Sequence, residues 1–518
     1  MNPIFARNVV ATSQPLAAQA GLQAIAKGGN AVDAALAAAI TLTVVEPTMN
    51  GIGGDVFALV WHEGSLQGLN ASGRAPAAWT RAHFGARVSM PDGGWGSVTV
   101  PGAVSAWVAL SERYGKLAFA DLFEAAMRYA DEGFPVTPVV ARQWADAVGQ
   151  LCGYPGFREA FSIDGRAPSV GEIWRFPAQA RTLESIALSK GESFYRGELA
   201  VAIAAFARQT GGALAESDLE AHRCDWVEPL AFDYHKHRLY EIPPNGQGIA
   251  AQMALGILDH LDAASHPRLS AERVHLQIEA MRLAFADLHA HVADPSSMRL
   301  DPRSLLDPHY LQARARQVER TRAGRYSPGQ PPSGGTVYLC AADAQGMMVS
   351  LIQSNYKGFG SGVVAPGGIA LHNRGHAFTL QEGHPNQVAP GKRPFHTIIP
   401  AFLRGEDDSA MAFGVMGANM QAQGHVQFSM SFVDDRCSPQ QCSDTPRWRI
   451  HDDGQLIVEA TMPTEVVEGL REMGHNPQVM PPDSLEFGSA QAVARYGSLP
   501  QGYVSGSDHR RDGQAVGF

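Results

Sequence analysis

Cysteine is scarce in this chain. Five residues in 518 (Cys152, Cys224, Cys340, Cys437 and Cys442) are odd in number and lack the paired spacing of a structural metal site or a disulfide framework. A reducing compartment is therefore expected, with Cys437 and Cys442 as free thiols. Positive charge is also in short supply. Against 51 Asp and Glu there are 41 Lys and Arg, a net charge of −10, and no basic cluster is available to neutralise phosphates, so nucleic acid is excluded as a partner. Long apolar runs are missing as well. The stretch from Ala31 to Val45 is interrupted by Asp33 and Thr41 and falls short of the ~20 apolar residues that span a bilayer. No apolar run follows the opening Met1-Asn2-Pro3-Ile4-Phe5-Ala6-Arg7-Asn8, so a secretory signal is not expected either. These absences together predict a cytoplasmic protein with no membrane partner. With 45% hydrophobic and 18% charged residues, the chain is globular and long enough for a large core.

Glycine, by contrast, is plentiful at 54 residues, and one pair of glycines carries chemistry. In Ser333-Gly334-Gly335-Thr336-Val337-Tyr338-Leu339 a threonine follows two glycines and leads into a β-branched, aromatic run. A hydroxyl is a weak nucleophile at its free pKa, and one remedy is to make it the first residue of its own chain so that its α-amine takes the proton. That amine titrates near pH ~8, so a useful fraction is unprotonated at neutrality. Glycines supply the permissive backbone of a scissile bond, although a glycine pair before a strand is commonly just a turn.

Pattern alone sketches the elements. Residues 13–27 and 31–45 read as small-residue helices, and Val56 to Trp61 with Leu66 to Asn70 as a hairpin. Helical spacing dominates from about 102 to 320 and is clearest from Ala271 to His291. After Thr336 the pattern turns strand-like, over Val337 to Ala341, Met348 to Gln353 and His396 to Leu403. The glycine- and proline-rich segment 327–335 reads as a loop between the two regimes. His235 and His237 alternate as in a strand, and His289 and His291 stand two apart on a helix; neither pair suits zinc, so no metal is expected.

A series of motifs then recurs in a specific order: Gly28-Gly29-Asn30-Ala31-Val32-Asp33-Ala34-Ala35, Glu46-Pro47, Gly51-Ile52-Gly53-Gly54, Ser97-Val98-Thr99-Val100-Pro101-Gly102, and Ile242-Pro243-Pro244. The carboxyl half adds Phe359-Gly360-Ser361-Gly362, Lys392-Arg393-Pro394 and Gly506-Ser507-Asp508-His509-Arg510-Arg511-Asp512-Gly513. Along almost its whole length the chain resembles the γ-glutamyltransferase family of N-terminal-nucleophile hydrolases. The resemblance implies an α/β (α+β) fold, a four-layer αββα sandwich. It further implies autocatalytic cleavage between Gly335 and Thr336 into a large subunit, 1–335, and a small one, 336–518, which share one folding unit. No cofactor is implied. A dimer of αβ units is expected by family analogy.

Site residues follow from the same resemblance. Thr336 is the expected nucleophile, first against the Gly335 carbonyl and then against the substrate amide. Ser354 falls where the family has a second threonine bonded to the nucleophile. Gly417 and Ala418, in Gly414-Val415-Met416-Gly417-Ala418-Asn419, match the turn whose N–H groups hold the oxyanion; such donors are worth about 2.7–4 kcal/mol each. Arg74, two places from the family's arginine, is expected to grip the substrate carboxylate with its planar fork. His396 and Thr397 stand where a serine pair contacts that carboxylate.

Departures from the family pattern speak to the substrate. Where the family's aspartate holds an α-ammonium, this chain has Ala377, within His372-Asn373-Arg374-Gly375-His376-Ala377-Phe378. Tyr356 replaces an asparagine that grips the same amino-acid head, and Arg374 adds positive charge. A pocket that loses an anion and gains a cation suits a small carboxylic acid amide without an α-amino group, and oxamate, hydrolysed to oxalate and ammonia in purine (urate or allantoin) catabolism, is the expected substrate. The alternatives are γ-glutamyl transfer or glutathione hydrolysis, a glutaryl-type (cephalosporin) acylase, and an uncleaved metabolite-binding protein.

Overall fold

The computed structural model describes residues 2–324, 326, 335–451, 453–497 and 502–518. Two seven-stranded sheets form its centre, every neighbouring pair within them antiparallel. One runs in the order Ile4–Ala6, Tyr503–Ser507, Ser489–Arg495, Ala410–Met416, Ala401–Gly405, His237–Glu241, Leu230–Tyr234. The other runs Gln514–Gly517, Val9–Thr12, Gly335–Ala342, Met348–Tyr356, Asp55–His62, Ser65–Asn70, Asp225–Val227. Their central strands pack face to face, and strands buried on both faces read as continuous apolar runs, as Asp55–His62 and Ala410–Met416 do.

Helices cover the two outer faces. Pro15–Ala26 and Ala31–Val45 lie against the second sheet, and Gly248–His260 and Met420–Val433 against the first, which completes an αββα sandwich. The alanine-rich helix shows why composition permits this. All of its residues are buried, and small side chains let its neighbour approach so closely that a Cβ on Gly21 would meet the Ala34 carbonyl at 2.7 Å. It starts abruptly because Asn30 Oδ1 accepts from Val32 N and Asp33 N while Asp33 Oδ2 accepts from Asn30 N, a reciprocal cap.

Sequence pattern and structure agree on the helices at 15–26, 31–45 and 271–291 and on the Asp55–Asn70 hairpin. They part in two places. The segment His396 to Pro400 is irregular and the strand starts at Ala401, because Pro400 has no N–H to offer a ladder and the carbonyls of His396 and Thr397 accept from Gln247 instead. Within the helix-rich middle, Asp225–Val227, Leu230–Tyr234 and His237–Glu241 are strands that carry the chain from one sheet to the other; His235 belongs to the turn between the last two, at φ 51°.

Candidate active site

The strand Gly335–Ala342 lies inside the second sheet, between Val9–Thr12 and Met348–Tyr356. Its register against Met348–Tyr356 shifts between Gly335 and Val337, so Thr336 enters the ladder at an irregularity opposite Ser354 and Asn355. The side chain of Thr336 and the segment 327–334 before the scissile bond lie outside the described residues.

Around this strand end the chain buries a cation. Arg374, fully buried in the short 3-10 turn Arg374–Ala377, donates from Nη1 to Thr397 Oγ1 at 2.8 Å and from Nη2 to Ser354 Oγ at 3.4 Å. Its guanidinium lies 4.1 Å from the ring centroid of Tyr356, a stacked cation–π contact. Tyr356 adopts φ 80°, an uncommon region for a bulky residue, and that backbone turn presents the ring beneath the arginine. Burial pushes the Arg374 pKa down to about 10, with Tyr356 and Asp55 opposing, so it stays charged at neutral pH. Among the described residues no carboxylate lies within ion-pair distance of it, and its Nε has no acceptor.

Behind the cation sits Asp55, fully buried. Its Oδ1 accepts from Gly102 N (3.0 Å) and Gly73 N (3.2 Å), while its Oδ2 lies 3.0 Å from His396 Nε2 and 3.3 Å from His372 Nδ1. Burial alone would raise the Asp55 carboxyl; the His372 and His396 imidazoles outweigh it and hold the group well below the usual range. His396 is held neutral by burial and by the Arg374 charge, its pKa down to about 3, so it donates Nε2–H to Asp55 and accepts from Ile398 N at Nδ1. His372 Nε2 reaches the Thr99 carbonyl at 2.9 Å.

Across from this buried cluster, the strand Ala410–Met416 ends in a turn at Gly417 (φ 122°) and Ala418 (φ 56°), directly before the helix Met420–Val433. The Gly417 and Ala418 carbonyls accept from Met420 N and Gln421 N. Because C=O and N–H point in opposite directions across a trans peptide, the N–H groups of Ala418 and Asn419 are directed off the helix N-terminus, where the helix dipole favours negative charge. Ala418 therefore occupies left-handed backbone that a second glycine would adopt more cheaply.

Ser354, Tyr356, Arg374 and Thr397 are thus brought together, with His396 behind them. Arg74 has different partners: half exposed, it faces Asp294 at 3.6 Å, Asp225 at 3.9 Å and the Gly391 carbonyl. Three participants escaped the motif reading, namely Asp55, His372 as its partner, and Gln247. Asp55 directly follows Gly53-Gly54, and Gln247 stands between two glycines. An acid after a glycine run is a legible signal; Gln247 has none, because its contacts are long-range in sequence.

The gamma-glutamyltranspeptidase family profile matches residues 17–518. The oxamate amidohydrolase proenzyme of Klebsiella pneumoniae subsp. pneumoniae is 36% identical over 97% of either chain, and a glutathione hydrolase-like proenzyme of Bacillus subtilis, YwrD, is 34% identical over 99% of each. The crystal structure of cephalosporin acylase from Bacillus halodurans superposes with a TM-score of 0.94 at 46% identity, covering 100% of this chain and 97% of the acylase. Family profile, near full-length relatives and shared sandwich lead to one conclusion: the chain belongs to the gamma-glutamyltranspeptidase family of autoprocessed amidohydrolases.

Proposed function

We propose that this protein is a self-cleaving threonine amidohydrolase acting on the amide of a small carboxylic acid that lacks an α-amino group, with oxamate the first candidate. One observation carries the reading: Arg374 is a buried guanidinium, set over Tyr356 and anchored by Thr397, with no carboxylate of its own among the described residues. A buried charge left without an ion partner is costly, so a substrate carboxylate is the natural counter-ion. Among the described residues an ammonium has no such host. Position 377 is alanine, Asp55 is engaged by two imidazoles and two N–H groups, and the exposed Asp92 pairs with Lys357 at 3.0 Å.

In the proposed cycle the Thr336 hydroxyl attacks the amide carbon as its own α-amine takes the proton. Charge developing on the carbonyl oxygen is met by N–H groups of the Gly417–Ala418 turn. Collapse breaks the C–N bond, and the amine returns the proton to the departing ammonia. Water, deprotonated by the same amine, then cleaves the ester and releases the acid. Ser354 bonds the nucleophile in this scheme, and the carboxylate goes to Arg374; Arg74, already facing Asp294 and Asp225, is assigned to the outer rim. Maturation into 1–335 and 336–518 differs in its base, because the Thr336 nitrogen is then the scissile amide: the hydroxyl attacks the Gly335 carbonyl, the C–N bond breaks as the proton passes to that nitrogen to free the α-amine, and water hydrolyses the resulting ester. The relatives named as oxamate amidohydrolase and as proenzymes support this reading.

A second reading, a glutaryl-type acylase, is favoured by the 46% identity to the cephalosporin acylase, since that chemistry also needs a carboxylate and no ammonium. Intact mass of wild type and Thr336→Ala, followed by ammonia release from oxamate, glutaramate and γ-glutamyl amides, separates the possibilities. Two fragments starting at Met1 and Thr336 in wild type alone, with turnover of oxamate, is the expected result. Preference for glutaramate moves the assignment to the acylase, γ-glutamyl turnover overturns the argument from Ala377, and an uncut wild-type chain leaves a metabolite-binding protein.

A further inference from the structure

The Thr397 segment that anchors Arg374 and the turn before Met420–Val433 are fastened to one another by Gln247, with Gln421 Oε1 adding a second tie by accepting from Ile399 N at 3.0 Å. Gln247, fully buried at the start of the helix Gly248–His260, donates from Nε2 to the Thr397 carbonyl at 2.6 Å and to the Ala418 carbonyl at 2.7 Å. An amide NH2 has two hydrogens, and here each has its own acceptor. The backbone around it is pinned as well: Gln247 N donates to His396 O at 3.0 Å, His396 N to Asn245 O at 2.8 Å, and Asn245 Nδ2 to Pro394 O at 2.7 Å. Thr397 anchors Arg374, and Ala418 belongs to the left-handed turn. These two segments lie at one end of the paired strands Ala401–Gly405 and Ala410–Met416, whose ladder stops at Ala401 and Phe413. Beyond that point Gln247 bridges them.

We propose that Gln247 is a positioning residue that sets the separation between the Arg374 clamp and the Gly417–Ala418 turn, and so selects substrates by the number of carbons between carboxylate and scissile amide. The inference rests on the carboxylate-clamp reading above. A substrate held at both ends is measured by the span between its anchors. Each inserted methylene lengthens it by roughly 1 Å, and a misplacement of that size at the reacting atoms costs about a hundredfold in rate. An amide that holds two loops by two short bonds is a stiff spacer, whereas an apolar side chain there leaves the buried Thr397 carbonyl without that donor and the Ala418 carbonyl with the Gln421 N–H alone, so that one of the two ties between the loops is lost.

The test is the ratio of kcat/KM across oxamate, malonamate, succinamate and glutaramate for wild type, Gln247→Met and Arg374→Gln, each checked for self-cleavage by intact mass. Wild type is expected to prefer one length by about a hundredfold, and Gln247→Met to cleave itself yet retain less than about a tenth of that preference. If Gln247→Met lowers all four substrates in equal proportion, Gln247 is only structural and the proposal is overturned. Should that variant fail to fold, Gln247→Asn, which retains both donors on a shorter stem, supplies the same readout: a changed length preference supports the proposal and an unchanged one overturns it. Failure of the underlying reading looks different, since wild type then has no length preference or Arg374→Gln leaves KM unaltered.

Discussion

Arg374 concentrates the argument at the level of single residues. Its two terminal nitrogens are held by Thr397 and Ser354 and its face by Tyr356, so the fork is oriented before any ligand arrives. Arg374→Gln is expected to raise KM at least tenfold, or about 1.4 kcal/mol of binding, with a smaller change in kcat, as steady-state ammonia release will show. Arg374→Lys should rescue only part of this, because an ammonium supplies charge without the planar pair of donors. Ala418 offers a complementary case. At φ 56° a non-glycine residue is strained by about 1–2 kcal/mol, so Ala418→Gly should raise the urea midpoint while self-cleavage persists. Ala418→Val, β-branched in the same backbone, should displace the turn and lower kcat by about 10²-fold or more.

Among the elements, the Ala31–Val45 helix is the most demanding, since nothing on it reaches solvent. Its start depends on Asp33 and on Asp343, whose Oδ2 accepts from Ala31 N at 2.8 Å. Asp33 accepts from Asn30 N at 2.9 Å, Lys116 N at 3.0 Å and Leu117 N at 3.3 Å, which joins the helix to the end of Ala103–Tyr114. Asp33→Ala abandons these donors in a buried place, and a loss of roughly 2–4 kcal/mol is expected at about 1–3 kcal/mol per unsatisfied group. Chemical denaturation of this variant against wild type measures it, and a change under about 0.5 kcal/mol, the range of an unremarkable surface substitution, would refute the assignment. The Gly28-to-Ala35 motif accordingly supplies a capping device.

Across the whole molecule, a cut at Gly335–Thr336 divides both sheets. Gly335–Ala342 and Met348–Tyr356 lie between Val9–Thr12 and Asp55–His62, and the four strands Tyr503–Ser507 to Ala401–Gly405 lie between Ile4–Ala6 and His237–Glu241. The fragments should therefore co-elute in size exclusion after maturation and separate only in denaturant. Titration also acts globally. His222, His289, His396 and His475 are buried, which depresses them to about 3 to 4, so the unfolded chain binds their protons first; the stability they confer is present above pH 6.5 and lost as pH falls toward those values. Glu46 has the opposite sign. Burial raises it to about 7 despite the Ser13 hydroxyl and Arg511, so its contribution is complete below pH 4.5 and lost as pH rises through 7. Melting temperature should thus drop from pH 7.5 to pH 5, and Glu46→Gln should gain on wild type as pH rises from 5 to 8, each tenfold difference in proton affinity between the folded and unfolded chain being worth about 1.4 kcal/mol.

Local rules made much of this chain readable in one dimension. Apolar periodicity and the glycine pair before Thr336 act over a few residues; periodicity carried the helices at 15–26, 31–45 and 271–291 and the Asp55–Asn70 hairpin, whereas the αββα layering came from family resemblance. Ala377 and Arg374 were legible only as departures from the family pattern, since the loss of an anion and the gain of a cation are defined against the residues the family has there. Contacts made across hundreds of residues were another matter. Asp55 meets His396 341 positions away, and Gln247 meets Ala418 171 positions away. No period or spacing encodes such pairs; they exist only once two sheets stack and bring their strand ends together. Arg74 and Arg374 illustrate the difference, since both are arginines in glycine-rich turns, and only folding gave one of them Asp294 and Asp225 as partners and left the other buried without a carboxylate among the described residues.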